Sequence, residues 1–449
     1  MQKSDGPDYE EVFAAFELMR TFSPEHELLK LAPTGPAAIY TTLVTLWMLT
    51  LQRLQGGSTL SATVKEVLEN ARCLLPDNKR VREGRVSRNS GGYSGARERL
   101  PMAAVELFAT RVSESLIDRI PSWFGERRAF LIDGTTLTLP PDSSLQQVYP
   151  PATNQHGETV WPVLMLLVAH ELQTGCALIP EFGAMYGADN VSEAELAARL
   201  APRIPRGSIV ICDAGFGIFF VTWKMRQAAH DVLFRLTASR FQRLTRGLPP
   251  VCETKQGKTW KVRWTPSPRE QKSHADLPPD AVVDVLVHDV VLDNGEHLTL
   301  VTSLSCSAED AAALYARRYD VEHNIRETKV TLRVESIRAK SPEMVRKEVL
   351  CSFVAYNLLL EFRREAAALV GVPPRRLSFT AVWDTFRISL LQQAPAALPE
   401  WQERYARALE QASRAKLPHR PGRSYPRRAH PRRAKSTKFM RSQPPPRPK

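Results

Sequence analysis

A chain of 449 residues with 43% hydrophobic and 24% charged content can bury more than one core, which excludes a small disulfide-stapled module. A formal net charge of +13 points to a polyanionic partner and weighs against a glycosidase built on paired carboxylates. Cys73, Cys176, Cys212, Cys252, Cys306 and Cys351 are scattered without any zinc spacing, so reduced thiols in a cytoplasmic protein are expected.

Residues 1–125 read as a helical N-terminal DNA-binding domain, with helical periodicity over 9–21, 37–54, 60–75 and 102–120. The N-terminus has no basic-then-apolar signal pattern. Its most apolar stretch, 37–51, contains four threonines and falls short of the ~20 residues a membrane helix needs, so no membrane partner is expected. Between residues 82 and 99, Arg82, Arg85, Arg88, Arg97 and Arg99 gather around Tyr93 and a Ser-Gly-Gly sequence. This segment reads either as a basic surface loop or as a DNA-contacting element.

The texture changes at Ala129, where Ala-Phe-Leu-Ile leads into Asp133 and then Gly-Thr-Thr. A short apolar run bounded by turn signals is a buried strand, here ending on a carboxylate. Strand character continues over 161–170 and 176–180, and a helix over 192–200 carries Glu193 and Glu195. Ser208-Ile-Val-Ile-Cys then runs into Asp213-Ala-Gly-Phe-Gly and repeats the first motif. A helix over 219–229 and a strand over 232–236 complete the first part of a core, residues 126–240.

Residues 241–303 are rich in β-branched residues, include Trp260 and Trp264, and hold an Asp-Asn-Gly turn, as a β-rich insertion would. Residues 304–391 return to helical patterns and form the second part of the core. Within them Tyr315, Arg318, Glu322 and Lys329 share an arc of roughly 60° on a continuous helix. Leu314, Val321, Ile325 and Leu332 make a neighbouring apolar stripe. A C-terminal helix is expected over 392–415. The last segment, 416–449, has twelve Lys or Arg, no Asp or Glu and many prolines, and reads as a disordered basic tail.

A carboxylate at the end of a buried strand is costly unless positive charge offsets it. One such aspartate is ordinarily a turn cap. Asp133 and Asp213 together, with Glu322 on a helix that can cross the sheet, form a set of hard oxygen ligands suited to two Mg²⁺ (or Mn²⁺) ions. Two such ions ~3.5–4 Å apart can activate a water or a 3′-hydroxyl and stabilise the leaving oxygen in line with it. Asp133 is assigned the bridging position, and crowding should raise the pKa of one acid in the metal-free protein.

These residues resemble the DDE transposases of the bacterial insertion-sequence-four (IS-four) family. The family signature is Tyr, two residues, Arg, three residues, Glu, six residues, Lys; Tyr315, Arg318, Glu322 and Lys329 match every spacing. Leu-Ile-Asp133-Gly-Thr-Thr and Ile-Cys-Asp213-Ala-Gly-Phe-Gly are also similar to the family's strand motifs. The resemblance implies an α/β fold, an RNase H-like catalytic core interrupted by a β-rich insertion and flanked by a helical N-terminal domain and a helical C-terminal region. It implies cut-and-paste DNA transposition with Asp133, Asp213 and Glu322 as metal ligands, and Tyr315, Arg318 and Lys329 on phosphates near the cleaved end.

Trp260 and Trp264 lie in the region where the family stacks a flipped base, though both read first as ordinary strand residues of a small sheet, and Arg235 and Arg240 stand as further DNA contacts. The implied partners are the transposon's terminal inverted repeats and target DNA, held by a homodimer in the bacterial nucleoid. A metal-dependent nuclease of the same fold, or an inactive DNA-binding derivative of a transposase, are the alternatives.

Overall fold

The computed structural model describes residues 11–12, 14–121, 127–154, 157–331, 337–392 and 396–418. Leu332 and the tail beyond residue 418 lie outside the described residues. The chain divides into a helical unit of residues 1–116, 137–163 and 327–449, and a sheet unit of residues 117–136 and 164–326. The helical N-terminal stretch thus shares its unit with the helices that follow residue 327.

The spine of the helical unit is Pro342–Leu369, capped by the Ser341 hydroxyl, which accepts from the Met344 amide at 3.4 Å. Every residue from 349 to 362 in it is buried, which only a helix apolar around most of its circumference tolerates. It packs against Thr42–Leu54 and Leu398–Ser413. Thr42–Leu54 is itself buried at all but one position, and Trp383 ties its end by donating from Nε1 to the Leu54 carbonyl at 2.8 Å. Helices Glu25–Leu31 and Gly91–Arg99 form where the sequence pattern predicts none, because tertiary burial of Leu28, Tyr93 and Ala96 outweighs the local turn-forming residues.

The strands in chain order are β1 (Glu11–Val12), β2 (Ala129–Thr138), β3 (Pro151–Asn154), β4 (Gly157–Glu171), β5 (Glu181–Ala184) and β6 (Ile209–Cys212). They continue as β7 (Asp231–Arg235), β8 (Cys252–Thr254), β9 (Gly257–Trp264), β10 (Val283–Val291), β11 (His297–Thr302) and β12 (Ala396–Ala397). In the helical unit β1 pairs with β12, and β3 pairs with residues 157–162 of β4.

In the sheet unit the order is β5-β4-β2-β6-β7-β11-β10-β9-β8. Strands β2, β6 and β7 are mutually parallel, and β11, β10, β9 and β8 follow as antiparallel neighbours. The β-rich segment expected over 241–303 therefore lengthens the core sheet, since β11 completes the hydrogen bonding of β7. Alternation along the parallel strands sends Ala129, Leu131, Ile209, Ile211 and Leu233 to one face. There they pack under Leu314, Tyr315 and Val321, with Ile325 against the cluster. Among the described residues no helix is long and apolar enough to cross a membrane.

Candidate active site

The parallel register brings the two aspartates together. Leu131 is opposite Ile211, and Ile211 is opposite Leu233. Two residues further along, where the pleat returns to the same face, the row reads Asp133, Asp213, Arg235. Asp213 stands directly after β6, as the apolar run predicts, whereas Asp133 lies within β2, which continues to Thr138. The strand outlasts its apolar run because β-branched Thr135 and Thr136 extend it past the pairing with β6.

Local backbone holds both carboxylates. The Gly134 amide donates to Asp133 Oδ1 at 2.8 Å, and the Gly215 amide donates to Asp213 Oδ1 at 2.8 Å. The second glycine of the Asp213 motif has its own cause, since a Cβ on Gly217 would stand 2.3 Å from the Arg235 carbonyl oxygen. Arg240 supports the same turn, donating from Nη1 to the Ala214 carbonyl at 2.6 Å, and burial lowers its pKa. The expected DNA contact at Arg240 is thus largely committed to backbone. Arg235 is exposed at the end of the row.

Across this row runs the segment with the signature residues, and it is not one continuous α-helix. Helix Ala308–Ala316 gives way to a 3-10 turn, Arg317–Tyr319, then helix Asp320–Arg326, then a π-helical turn, Glu327–Thr331. Arg317 Nε bonds Asp320 Oδ2 across the 3-10 turn at 3.0 Å. The pairing that matters survives the change of winding, because Arg318 Nη2 reaches Glu322 Oε1 at 3.1 Å. Tyr315 departs from the expected polar face: only 8% exposed, it belongs to the core cluster. Burial first, then the neighbouring charges of Arg318, Arg235 and Asp213, leave its phenol pushed up to about 12. Lys329 lies in the π-helical turn, in the helical unit.

Electrostatics identify a centre short of positive charge. Asp133 is pushed up to about 6, chiefly by burial and then by Asp213 and Glu193, against the opposing Gly134 hydrogen bond and Arg318. Burial and Asp213 also raise the pKa of Glu193. Glu193 is a fourth acid that the pattern of the sequence conceals. It opens helix Glu193–Leu200 beside a Ser192–Glu195 capping box, where a first-turn acid is an ordinary complement to the helix dipole. Its carboxylate lies over Gly134, where a Cβ would come within 2.0 Å of Oε1.

The donor set is carboxylate oxygen throughout, and burial, then repulsion from Asp213, raises Asp133, so the chemistry fits a hard divalent cation. As placed, Glu322 turns toward Arg318, and among the described residues no three His, Cys, Asp or Glu side chains stand in metal-holding positions.

Two other expectations are revised. Trp260 and Trp264, read as possible stacking platforms, are 9% and 2% exposed. Trp260 packs edge-on to Phe241 and donates to the Leu248 carbonyl at 3.2 Å, while Trp264 packs edge-on to Phe219. As placed, each indole is buried in the packing of its strand, which departs from an exposed stacking platform. Nor is the 82–99 segment a basic loop throughout: Tyr93 and Arg97 are buried, and Arg82 and Arg85 pair with Asp77 and Glu83.

The family model described as the transposase DDE domain matches residues 124–358. The transposase InsG for insertion sequence element IS4 of Escherichia coli (strain K12) is 24% identical over 348 residues, 74% of each chain.

Proposed function

This chain belongs to the IS-four family of DDE transposases, and we propose that it cleaves DNA at transposon terminal inverted repeats and joins the freed ends to target DNA. The reading is of cut-and-paste transposition by two-metal-ion phosphoryl transfer, carried out by a homodimer. The observation that carries it is that Asp133 in β2 and Asp213 just past the end of the neighbouring parallel strand β6 interact with each other, with Arg318 beside Asp133 and paired to Glu322. The order β5-β4-β2-β6-β7, with three parallel strands at its end, supports an RNase H-like core.

In this reading Asp133, Asp213 and Glu322 hold the ions. Bound Mg²⁺ supplies an activated oxygen nucleophile and charge stabilisation at the leaving oxygen. Arg318 pairs with Glu322, and were Glu322 to hold an ion instead, the planar fork of Arg318 would be free for a phosphate. Arg235, exposed at the end of the carboxylate row, and Lys329 offer positive charge to the DNA backbone. Tyr315 braces the helix against the sheet, with its hydroxyl near Asp213.

The test is incubation with duplex carrying the flanking terminal repeats, in Mg²⁺ and in Ca²⁺. End cleavage and joining are expected in Mg²⁺ alone, and both should vanish in Asp133→Ala, Asp213→Ala and Glu322→Gln. Cleavage that survives all three substitutions would refute the site, and cleavage without joining would make the protein a nuclease.

A further inference from the structure

A cavity of about 650 Å³ opens within the helical unit, well away in character from the acids of the sheet unit. Its floor includes Arg53 and Arg97, 4% and 6% exposed, which hold Glu348 between them through one contact of 2.5 Å each. That shared carboxylate does not use up the guanidiniums. Arg53 Nε and Nη1 and Arg97 Nε are buried with no hydrogen-bond partner among the described residues, which is costly for charged donors. At the rim stand Arg338 and Lys340, both exposed, whose side chains pair with no described residue.

Two helices also begin at this cavity. Leu60–Asn70 starts there with its cap Thr59, and the 28-residue Pro342–Leu369 starts there with its cap Ser341. Each brings the positive end of its dipole. The acids that line the wall are already engaged: the Ser144 amide donates to Asp142 at 3.0 Å, and the Ser94 hydroxyl donates to Glu98 at 3.3 Å. These carboxylates keep their charge, but the four cations of the lining outnumber its three acids, Glu98, Asp142 and Glu348, so the cavity is cationic by one charge.

We propose that this cavity is a phosphate-ester site that takes one nucleotide unit, its phosphate drawn by Arg338, Lys340 and the two helix starts. The volume suits a nucleotide better than a lone anion. The unit comes either from a DNA strand or from a free nucleotide; the strand as source rests on the transposase reading, while the phosphate chemistry does not.

The experiment measures binding of a deoxynucleoside monophosphate, of a short single-stranded oligodeoxynucleotide and of inorganic phosphate to the full chain. Calorimetry gives the affinity and the ligand-induced rise in Tm gives a second readout. The variants are Arg338→Ala/Lys340→Ala, which breaks no described contact, and Glu322→Gln as a control. At least one nucleotide probe should raise Tm in the wild type and in Glu322→Gln alike, and the double variant should bind it about tenfold more weakly with a shallower salt dependence. Binding of the mononucleotide marks a free nucleotide as sufficient, and binding of the oligonucleotide alone marks the strand as the source. Unchanged affinity in Arg338→Ala/Lys340→Ala, or no binding of any probe to the wild type, overturns the proposal. Loss of cleavage in Glu322→Gln with binding intact keeps this outcome separate from the fate of the catalytic assignment.

Discussion

The molecule contains two clusters of opposed charge with opposite imbalance. In the sheet unit, Asp133 lies among the charges of Asp213, Glu193 and Arg318, and Arg318 pairs with Glu322, whose side chains remain 21% and 37% exposed. In the helical unit, Arg53 and Arg97 enclose Glu348, and all three side chains are under a tenth exposed. Each cluster compensates its own burial only in part, and the sign of the remainder sets what it can accept: a cation in the first, an anion in the second. Openness divides their roles further. The triad is almost covered and joins helices at the floor of the cavity, whereas Arg318 and Glu322 stay partly open.

Catalysis should break the comparison most severely. Asp213→Asn or Glu322→Gln should lower single-turnover end cleavage on the order of 10³-fold while leaving unfolding by urea near that of the wild type. Glu348→Gln should do the reverse, costing about 3–5 kcal/mol in urea unfolding because two buried guanidiniums lose their shared anion. If Glu348→Gln were silent, the triad would not be the covered structural cluster described above.

Smaller effects sharpen the same contrast. Gly217→Ala should cost about 1–3 kcal/mol of stability and displace the Asp213 turn, read as weaker Mg²⁺ binding, since the new methyl meets the Arg235 carbonyl. For Asp133 the folded pKa of about 6 lies above the ordinary 3.8, so the folded metal-free protein holds the proton more tightly than the unfolded chain. Its stability should therefore fall as pH rises from 3.8 through about 6, by about 2 kcal/mol after allowance for partial exposure, and Asp133→Asn should flatten that slope. Mg²⁺ binding in the same window should release a proton, measurable by calorimetry in buffers of different ionisation heat. Smallest of all, Trp260→Phe should lose about 1 kcal/mol with its bond to Leu248 and change end cleavage less than about twofold. A large cleavage defect would return Trp260 to the DNA.

Much of the acid site is legible because it is local. Apolar runs that stop at Asp133 and Asp213 identify strands with carboxylates near their ends, and the spacing of Arg318 and Glu322 brings them within reach in either an α-helix or a 3-10 interruption. Tyr315 is misread because helical periodicity fixes an angle on a helix, not the width of the face that the sheet covers. Arg97 and Tyr93 are misread for a related reason: glycines and arginines in sequence look like a loop until a buried glutamate 251 residues away supplies the partner.

By itself the sequence determined the residue types, the apolar runs and the short-range spacings, and with them the family and the three acids proposed to hold metal. Only the tertiary structure decided the neighbours. Parallel register set Asp133 beside Asp213 and Arg235, the fold laid Glu193 over Gly134, and helix packing gave Arg53 and Arg97 one anion for two charges. The reason is physical: strand propensity and helical period act over a few residues, while desolvation and charge pairing depend on whatever the folded chain brings within a few ångströms.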